Sequence, residues 1–239
     1  MAFNENWVGK QIILVVLAHP DDPEFFCGAT IARWTSLGHD VHYLLFTKGD
    51  KGSNNPVITT EELINMRVKE QRAAADVLGV KTVSYLDKLD GYVMADLDTR
   101  KEIVRSIRVL KPHIVVSCDP ANLYPRDGYI NHPDHRSVGQ QVIDAIYPGG
   151  GNRFYFPELI GEGCGPHQVK ELWLSIPADA NTVIDVTEYW KLKLDALSKH
   201  HSQIGDEIKM RKRMLNRRQP QSNTEHPRFE ERFRRIIFK

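Results

Sequence analysis

The sequence predicts a single α/β domain in which helices cover both faces of a mostly parallel sheet, giving three layers. Short apolar runs alternate with segments whose apolar residues recur at helical spacing, and this alternation is typical of βαβ units. The first run, residues 11–18, is continuously apolar and rich in β-branched side chains, as expected of a strand buried on both faces. No internal repeat, low-complexity segment or change in composition divides the chain, so we assign residues 1–239 to one domain.

Local sequence signals predict where individual helices and strands begin and end. Gly38 ends the first helix, Gly79 ends the second, and Pro112 lies just after the third. Thr187 is placed to cap the last helix. The last two predicted strands are candidates for pairing with each other. We predict strands at residues 11–18, 41–46, 82–86, 114–117, 171–176 and 182–186, and helices at residues 24–37, 60–78, 98–110, 135–145 and 187–201.

The composition is that of an ordinary globular protein and excludes several function classes. Hydrophobic residues make up 41% of the chain, which is too many for intrinsic disorder. A formal net charge of +1 argues against nucleic acid as a partner. No apolar run approaches the length of about 20 residues that a membrane-spanning helix needs. Residues 1–10 lack the pattern of a signal peptide, and three cysteines make a poor disulfide framework, so we expect a cytoplasmic protein.

The low net charge conceals an uneven distribution. Residues 209–239 contain 11 Lys and Arg but only 3 Asp and Glu, whereas the rest of the chain contains 21 basic and 28 acidic residues. The simplest interpretation of this basic segment is a solvated helix, or a subunit contact against the acidic body. The alternative is a site for an anionic partner.

Polar side chains follow two predicted strands at the points where those strands end. Because ligands of open α/β sheets bind at the carboxyl ends of the strands, we expect the two sets to converge. Imidazole and carboxylate groups are the usual protein ligands of Zn²⁺, which lowers the pKa of a bound water to about 7. A further carboxylate can act as general base, and a further histidine can stabilise an oxyanion or protonate a leaving group. The two sets are residues 18–22 (AHPDD) and residues 131–135 (NHPDH).

Each of these residues also has a purely structural interpretation. Asp21 and Asp22 could simply cap the helix that begins near Pro23. Cys27 and Cys118 are expected to be small buried residues and not nucleophiles. His200 and His201 are expected on a helix face or at a helix end, although they could add metal ligands, and His167 lies in a stretch that could reach the site.

The two motifs resemble those of the LmbE/PIG-L family of zinc-dependent deacetylases. AHPDD at residues 18–22 and HPDH at residues 132–135 carry the resemblance. Supporting similarities lie at residues 28–31 (GATI), in the pattern of Arg67, Glu70, Ala74 and Leu78-Gly79, and at residues 200–203 (HHSQ). The resemblance implies a Rossmann-like fold, a homo-oligomer of trimeric or hexameric type, and a small amino-sugar substrate.

The family's functional residues can be placed on matching positions of this chain. The resemblance implies that His19, Asp22 and His135 bind Zn²⁺ and that Asp21 is the general base. It also implies three further roles: His132 stabilises the oxyanion and protonates the leaving amine, Asp134 orients a histidine, and Arg67 binds substrate. The structural alternative for Arg67 is a salt bridge on a helix face with Glu70.

The sequence departs from the family pattern in two places. Pro23 separates the HPDD segment from Glu24, which leaves the role of Glu24 open. Ile130 stands where some members have a tyrosine, so no tyrosine donor is expected.

The predicted activity is therefore zinc-dependent removal of an acetyl group from an N-acetylglucosamine-type sugar or small sugar conjugate. Fe²⁺, Co²⁺ or Ni²⁺ could occupy the same ligands. The same chemistry would also serve a thiol-conjugate amidase. A nucleotide-binding module is the alternative of another class, but neither a G-x-G-x-x-G turn nor a Walker lysine follows Ala18. The loops at residues 49–55, 118–130 and 147–157 are expected to shape the substrate pocket.

Overall fold

A computed structural model describes residues 5–239, and the part of the leader prediction that concerns residues 1–4 lies outside the described residues. The strands are β1 (Ile12–Leu17), β2 (Asp40–Thr47), β3 (Thr82–Lys88), β4 (Ile114–Cys118), β5 (Glu171–Ser175), β6 (Thr182–Asp185) and β7 (Glu230–Ile237). The helices are α1 (Asp22–Ser36), α2 (Thr60–Val77), α3 (Leu97–Leu110), α4 (Pro133–Asp144), α5 (Glu158–Gly161), α6 (Trp190–Leu197), α7 (His201–Ile204) and α8 (Glu207–Leu215).

The strands form one seven-stranded sheet in the order β3-β2-β1-β4-β5-β7-β6. The first five strands are parallel, and β7 runs antiparallel to both of its neighbours. The chain leaves β1 toward β2 and β3 on one side, and it continues with β4 and β5 on the other. This reversal opens a crevice at the carboxyl ends of β1 and β4, which is where open α/β sheets bind ligands.

Two hydrophobic cores lie on opposite faces of the sheet, which confirms the predicted three-layer α/β fold. Alternate residues of β1 point to opposite faces. Ile13 and Val15 pack into the core beneath α1, α2 and α6, whereas Leu14 and Val16 pack into the core beneath α3 and α4. Both faces of the central strands are therefore covered, as the continuous apolar run predicted.

Most predicted elements lie within a few residues of their observed bounds, and the two helices that follow the motifs begin earlier than predicted. α1 begins at Asp22 and α4 at Pro133, so each motif runs into the first turn of its helix. In both helices a proline occupies the first turn, where the missing N–H has no helical partner to lose.

The prediction for the last third of the chain is wrong in two respects. β5 and β6 do not pair, because β7 lies between them. The predicted helix at residues 187–201 is a short 3₁₀ turn followed by α6 and α7, and Thr187 does not cap it. The Thr187 hydroxyl instead donates to Asp185, at 2.6 Å.

The basic segment is not a solvated helix over most of its length. Residues 230–237 form β7 inside the sheet, and only the start of the segment lies in α8. Several of its arginines pair with acidic residues elsewhere in the same chain. These pairs are Arg211–Asp195, Arg228–Asp185, Arg234–Asp179 and Arg235–Glu171.

The loop at residues 147–157 lies at the amino end of the sheet and does not reach the crevice. Its carbonyl groups accept hydrogen bonds from Arg108, near the end of α3. His167 is also at this end, where its Nε2 lies 2.7 Å from the Pro112 carbonyl. A cavity of about 630 Å³ opens beside this loop, between Tyr147 and Phe238. None of the described helices combines the length and the apolar character that spanning a bilayer requires.

Candidate metal and catalytic site

A tight turn after β1 places the first motif at the mouth of the crevice. The Asp22 carboxylate accepts a hydrogen bond from the His19 backbone N–H, at 2.9 Å. Asp21 has a φ of 88°, in the left-handed region, and its side chain makes no capping hydrogen bond. Asp21 occupies the N-cap position of α1, but its carboxylate does not cap the helix and is left for another role.

The second motif is held by the start of α4. His132 is the N-cap residue, and its Nδ1 accepts a hydrogen bond from the Asp134 backbone N–H, at 3.2 Å. His135 lies in the first turn of the helix, where its Nδ1 is 3.0 Å from Oδ1 of Asn131. This contact leaves Nε2 of His135 directed at Asp22.

The three motif histidines lie close together in the crevice, and His19 meets each of the other two rings edge to face. The ring centroids of His19 and His132 are 4.7 Å apart, and His135 is 5.3 Å from each. The structure thus brings together residues that are more than 110 positions apart in sequence.

Asp22 bridges two of these histidines. One carboxylate oxygen lies 3.3 Å from Nδ1 of His19, and the other lies 3.1 Å from Nε2 of His135. Burial alone would raise the pKa of Asp22, but the positive charge of His135 and His19 outweighs it and holds that pKa below its ordinary value. Asp22 is therefore ionised at neutral pH.

Two further carboxylates face the opposite edge of the His19 ring. Nε2 of His19 lies 3.2 Å from Asp134 and 3.1 Å from Asp90. Asp134 is fully buried and also accepts hydrogen bonds from the backbone N–H groups of Gly91 and Val93. His19 is consequently fixed between carboxylates on both ring nitrogens, and these contacts outweigh burial and raise its pKa well above its ordinary value.

Asp90 was missed in the sequence analysis, although a signal for it exists. It follows the carboxyl end of β3, a parallel strand of the same sheet, and ligands of open α/β sheets bind at such strand ends. The β3 segment carries no family motif, so only its position in the sheet indicates a functional residue.

Asp21 and Arg67 lie side by side at the floor of the crevice. The Arg67 guanidinium is 3.5 Å from Asp21 and 3.9 Å from Asp90, and it is almost completely buried. Burial raises the pKa of Asp21 to about 7, even though Arg67 opposes the increase. The predicted surface pair of Arg67 with Glu70 does not form, because Glu70 accepts hydrogen bonds from Ser202.

Beneath this floor lies a buried polar network that sequence reasoning did not find. Glu24 is completely buried, and its carboxylate accepts hydrogen bonds from Gln71, Tyr43 and His200. His200 is therefore neither on an exposed helix face nor a metal ligand, because the contact with Glu24 places it below the site. Glu24 outweighs burial and raises the pKa of His200.

The cysteines take no part in the site. Cys27, Cys118 and Cys164 are buried free thiols. Burial raises the pKa values of Cys27 and Cys118 well above the ordinary range, so both are protonated at neutral pH. The prediction that they are small buried residues is confirmed.

The donor set fits a divalent transition metal. Ligand-capable atoms of His19, His132 and His135 lie within 4.8 Å of one another, and the same holds for the set His19, Asp90, His132 and Asp134. Imidazole nitrogens with one or two carboxylates match the ligand preference of zinc and its neighbours. Asp22 touches both His19 and His135, so it lies within reach of the same ion.

Comparison with known proteins identifies the family of this chain. The family model "GlcNAc-PI de-N-acetylase" (PIG-L) matches residues 14–146, a span that contains both motifs. The diacetylchitobiose deacetylase of Thermococcus kodakarensis is 34% identical over 205 residues, covering 86% of this chain and 74% of its own. A probable N-acetyl-alpha-D-glucosaminyl L-malate deacetylase 2 of Bacillus anthracis is 30% identical over 215 residues, covering 85% of this chain and 86% of its own.

A solved structure extends the similarity to the whole fold. The N,N'-diacetylchitobiose deacetylase of Pyrococcus horikoshii, solved with an inhibitor, superposes with a TM-score of 0.85 at 26% identity. The alignment covers 95% of this chain and 84% of the other. The matched family model, the curated relatives and the shared fold agree with the resemblance carried by the two motifs, and the chain belongs to the PIG-L family of de-N-acetylases.

Proposed function

We propose that this protein is a metal-dependent hydrolase that removes the acetyl group from an N-acetylglucosamine-type sugar or a small conjugate of one. The observation that carries the proposal is the convergence of both motifs at the carboxyl ends of β1 and β4, in a chain whose relatives are named deacetylases. Such relatives act on amide bonds, and the crevice contains the groups that amide hydrolysis needs.

His19, Asp22 and His135 are the proposed ligands, and zinc is the proposed metal. Asp22 supports this set because it touches Nδ1 of His19 and Nε2 of His135. Nε2 of His19 is then not needed for the metal and lies against Asp134. This carboxylate, which is not a ligand, orients the His19 ring. A bound divalent ion would acidify a coordinated water and polarise the acetyl carbonyl.

Asp21 is the proposed general base, which takes the proton of the attacking water. Its carboxylate is adjacent to Asp22 in sequence and is neutralised in part by Arg67. His132 is the proposed donor to the carbonyl oxygen and then to the leaving amine. Burial and the two neighbouring histidines lower the pKa of His132. Because its Nδ1 accepts the Asp134 N–H, the proton of neutral His132 is on Nε2, where it can be donated.

Arg67 is the proposed substrate-binding residue. Its guanidinium lies between Asp21 and Asp90, and its Nε has no hydrogen-bond partner among the described residues. A sugar hydroxyl in the crevice would meet a donor from Arg67 and an acceptor from Asp90. These two residues therefore supply polar contacts that orient the acetamido group toward Asp21.

The test is a substrate panel with metal-loaded protein, in which released acetate and free amine are both measured. The panel contains N-acetylglucosamine, diacetylchitobiose, N-acetylglucosamine linked to malate or to inositol, and one thiol conjugate. We expect turnover of at least one sugar, and a loss of about 10²- to 10⁴-fold in kcat for Asp21→Asn and His132→Ala. Full activity of Asp21→Ala would overturn the assigned roles, and cleavage of the thiol conjugate alone would change the substrate class.

We also propose that the protein works in the cytoplasm as a homo-oligomer of trimeric or hexameric type. The free cysteines support a reducing compartment. Light scattering coupled to size-exclusion chromatography should give a mass of three or six chains. A monomer at micromolar concentration would contradict this proposal without affecting the catalytic one.

A further inference from the structure

The structure assigns Gln71 a positioning role: it holds the backbone of Asp21 so that this carboxylate points into the crevice. The inference rests on the proposed function of Asp21 as general base. Gln71 belongs to neither motif and lies on α2, outside both strand ends.

One peptide group is held at both of its ends by the same helix. The carbonyl of Pro20 accepts a hydrogen bond from Arg67, at 2.7 Å, and the N–H of Asp21 donates to Oε1 of Gln71, at 2.8 Å. Arg67 and Gln71 are four residues apart on α2, so they lie on one face of that helix. Because a peptide group is planar, these two hydrogen bonds fix the orientation of the plane from which Asp21 projects.

The two hydrogen bonds hold Asp21 in a backbone conformation that is unfavourable for this residue. Its φ of 88° lies in the left-handed region, which is unfavourable for a residue with a Cβ. The usual compensation at a helix start is a side-chain cap, and Asp21 makes none. The hydrogen bond from Gln71 therefore supplies a local constraint that the turn itself lacks, and strain of this kind is typical of functional positions.

Gln71 is itself fixed by the buried network below it. Its Nε2 lies 3.1 Å from both oxygens of Glu24, which establishes that the amide oxygen is the group facing Asp21. Nε2 of His200 lies 3.1 Å from the same carboxylate. Gln71, Glu24 and His200 are all completely or almost completely buried, so the network cannot exchange these partners for water.

This arrangement accounts for two features that the motifs leave unexplained. Pro23 separates Glu24 from the HPDD segment, and the Glu24 carboxylate accepts the hydrogen bonds that orient Gln71. His200 lies far from the first motif in sequence, and it forms a further hydrogen bond with the same carboxylate. Neither residue forms a hydrogen bond or an ion pair with Asp21, so their contact with it runs through Gln71, and the charge of His200 acts on Asp21 only at a distance.

The test compares Gln71→Met, which keeps the volume and removes both hydrogen bonds, with Thr35→Val. Thr35 joins the far ends of α1 and α2 through a hydrogen bond to Leu78, so its variant disturbs the same helix pair away from the crevice. We expect kcat of Gln71→Met to fall by roughly 10- to 100-fold, with metal content unchanged and KM altered by less than about threefold. Thr35→Val should keep the kcat of the unmodified protein.

A double variant distinguishes the positioning of Asp21 by Gln71 from a general loss of structure at the site. In an Asp21→Asn background, Gln71→Met should lower the remaining kcat by less than about twofold, because the group it orients is already absent. Equal fold losses in both backgrounds would overturn the inference, as would unchanged kcat in Gln71→Met. If Gln71→Met fails to fold, Gln71→Asn replaces it, since it retains an amide but is one methylene too short to reach both partners. Failure of the proposed function is a different result, namely full activity of Asp21→Asn.

Discussion

Asp21 and Asp22 are adjacent in sequence, but their surroundings differ in every respect that matters for catalysis. Asp22 faces two histidines, which hold its pKa below the ordinary range. Asp21 touches no histidine and has Arg67 as its cationic neighbour, and burial raises its pKa to about 7 against the opposing charge of Arg67. Neighbouring residues of a turn point in different directions, so one motif can supply both a ligand and a base.

At the residue scale, the first prediction concerns which side chains hold the metal. Asp22→Ala and His135→Ala should each reduce bound metal by at least tenfold after dialysis, because each removes a proposed ligand. His132→Ala should retain about one metal ion per chain while losing activity. Elemental analysis of the purified variants measures the amount of metal bound per chain. Loss of metal in His132→Ala would instead favour the three-histidine set.

The second prediction concerns the glycine that covers Arg67. Gly49 has a φ of 70°, and a Cβ there would overlap the Arg67 guanidinium. Gly49→Ala should therefore displace Arg67 and lower kcat/KM by roughly tenfold or more. Gly38→Ala is the matched control, because its φ of 88° imposes similar strain while a Cβ there would meet nothing within 4 Å.

Both glycine variants should lose about 1–2 kcal/mol of stability from backbone strain. Steady-state kinetics on the substrate identified by the panel distinguishes them. Equal kcat/KM values for the two variants would show that the contact with Arg67 is unimportant.

At the scale of elements, β7 brings the end of the chain into the sheet. It lies between β5 and the edge strand β6 and pairs with both, so it links β6 to the rest of the sheet. Its Glu231 also accepts hydrogen bonds from the N–H groups of Ala29 and Thr30, just after Cys27 departs from helical geometry in α1. The helix that starts at the site is thereby anchored by a strand that is 200 residues away in sequence.

The third prediction concerns Glu171, which fastens β5 to β7. Its carboxylate accepts hydrogen bonds from Arg235, Trp173 and Trp7. Burial would raise the pKa of Glu171, but these donors outweigh it and hold that pKa below its ordinary value of 4.5. The stabilisation is therefore present above about pH 4.5 and is lost as the pH falls through the lower pKa of the folded protein.

Glu171→Gln should cost about 2–4 kcal/mol at pH 7, because it removes the charge from the acceptor of two hydrogen bonds that the partly buried Arg235 donates. Its stability should also depend less on pH below 4.5 than that of the unmodified protein. Urea unfolding at a series of pH values from 7 to 3 measures both effects. Parallel stability curves for the two proteins would contradict the prediction.

At the scale of the whole molecule, the uneven charge is compensated inside the chain. Four arginines among the 11 basic residues of residues 209–239 pair with acidic residues of the body, through contacts such as Arg235 with Glu171 and Arg228 with Asp185. The contrast between a basic end and an acidic body, which suggested an assembly surface, is thus explained in part by folding.

Most of the fold and the two motifs could be predicted because their signals are local. A strand buried on both faces must be apolar throughout, and a helix must begin and end at residues that suit its ends, so β1, α2 and α3 were predicted closely. β7 was missed because the charged residues from Glu230 to Arg235 are typical of an exposed surface. No local pattern in the sequence indicates that the arginines of β7 pair with acidic residues on β5 and elsewhere. Asp90 and Gln71 were missed because their importance depends on neighbours far away in sequence.

The sequence by itself determined the fold class, the pair of motifs and the family, because periodicity and short spacings are properties of the chain. Only the tertiary structure decided which histidine meets which carboxylate, how Arg67 and Gln71 hold one peptide group, and why Glu24 and His200 are buried. The physical reason is that the pKa values, the hydrogen bonds and the strain at Asp21 depend on burial and on partners that the parallel pairing of β1 and β4 brings together. Those distances exist only in the folded sheet.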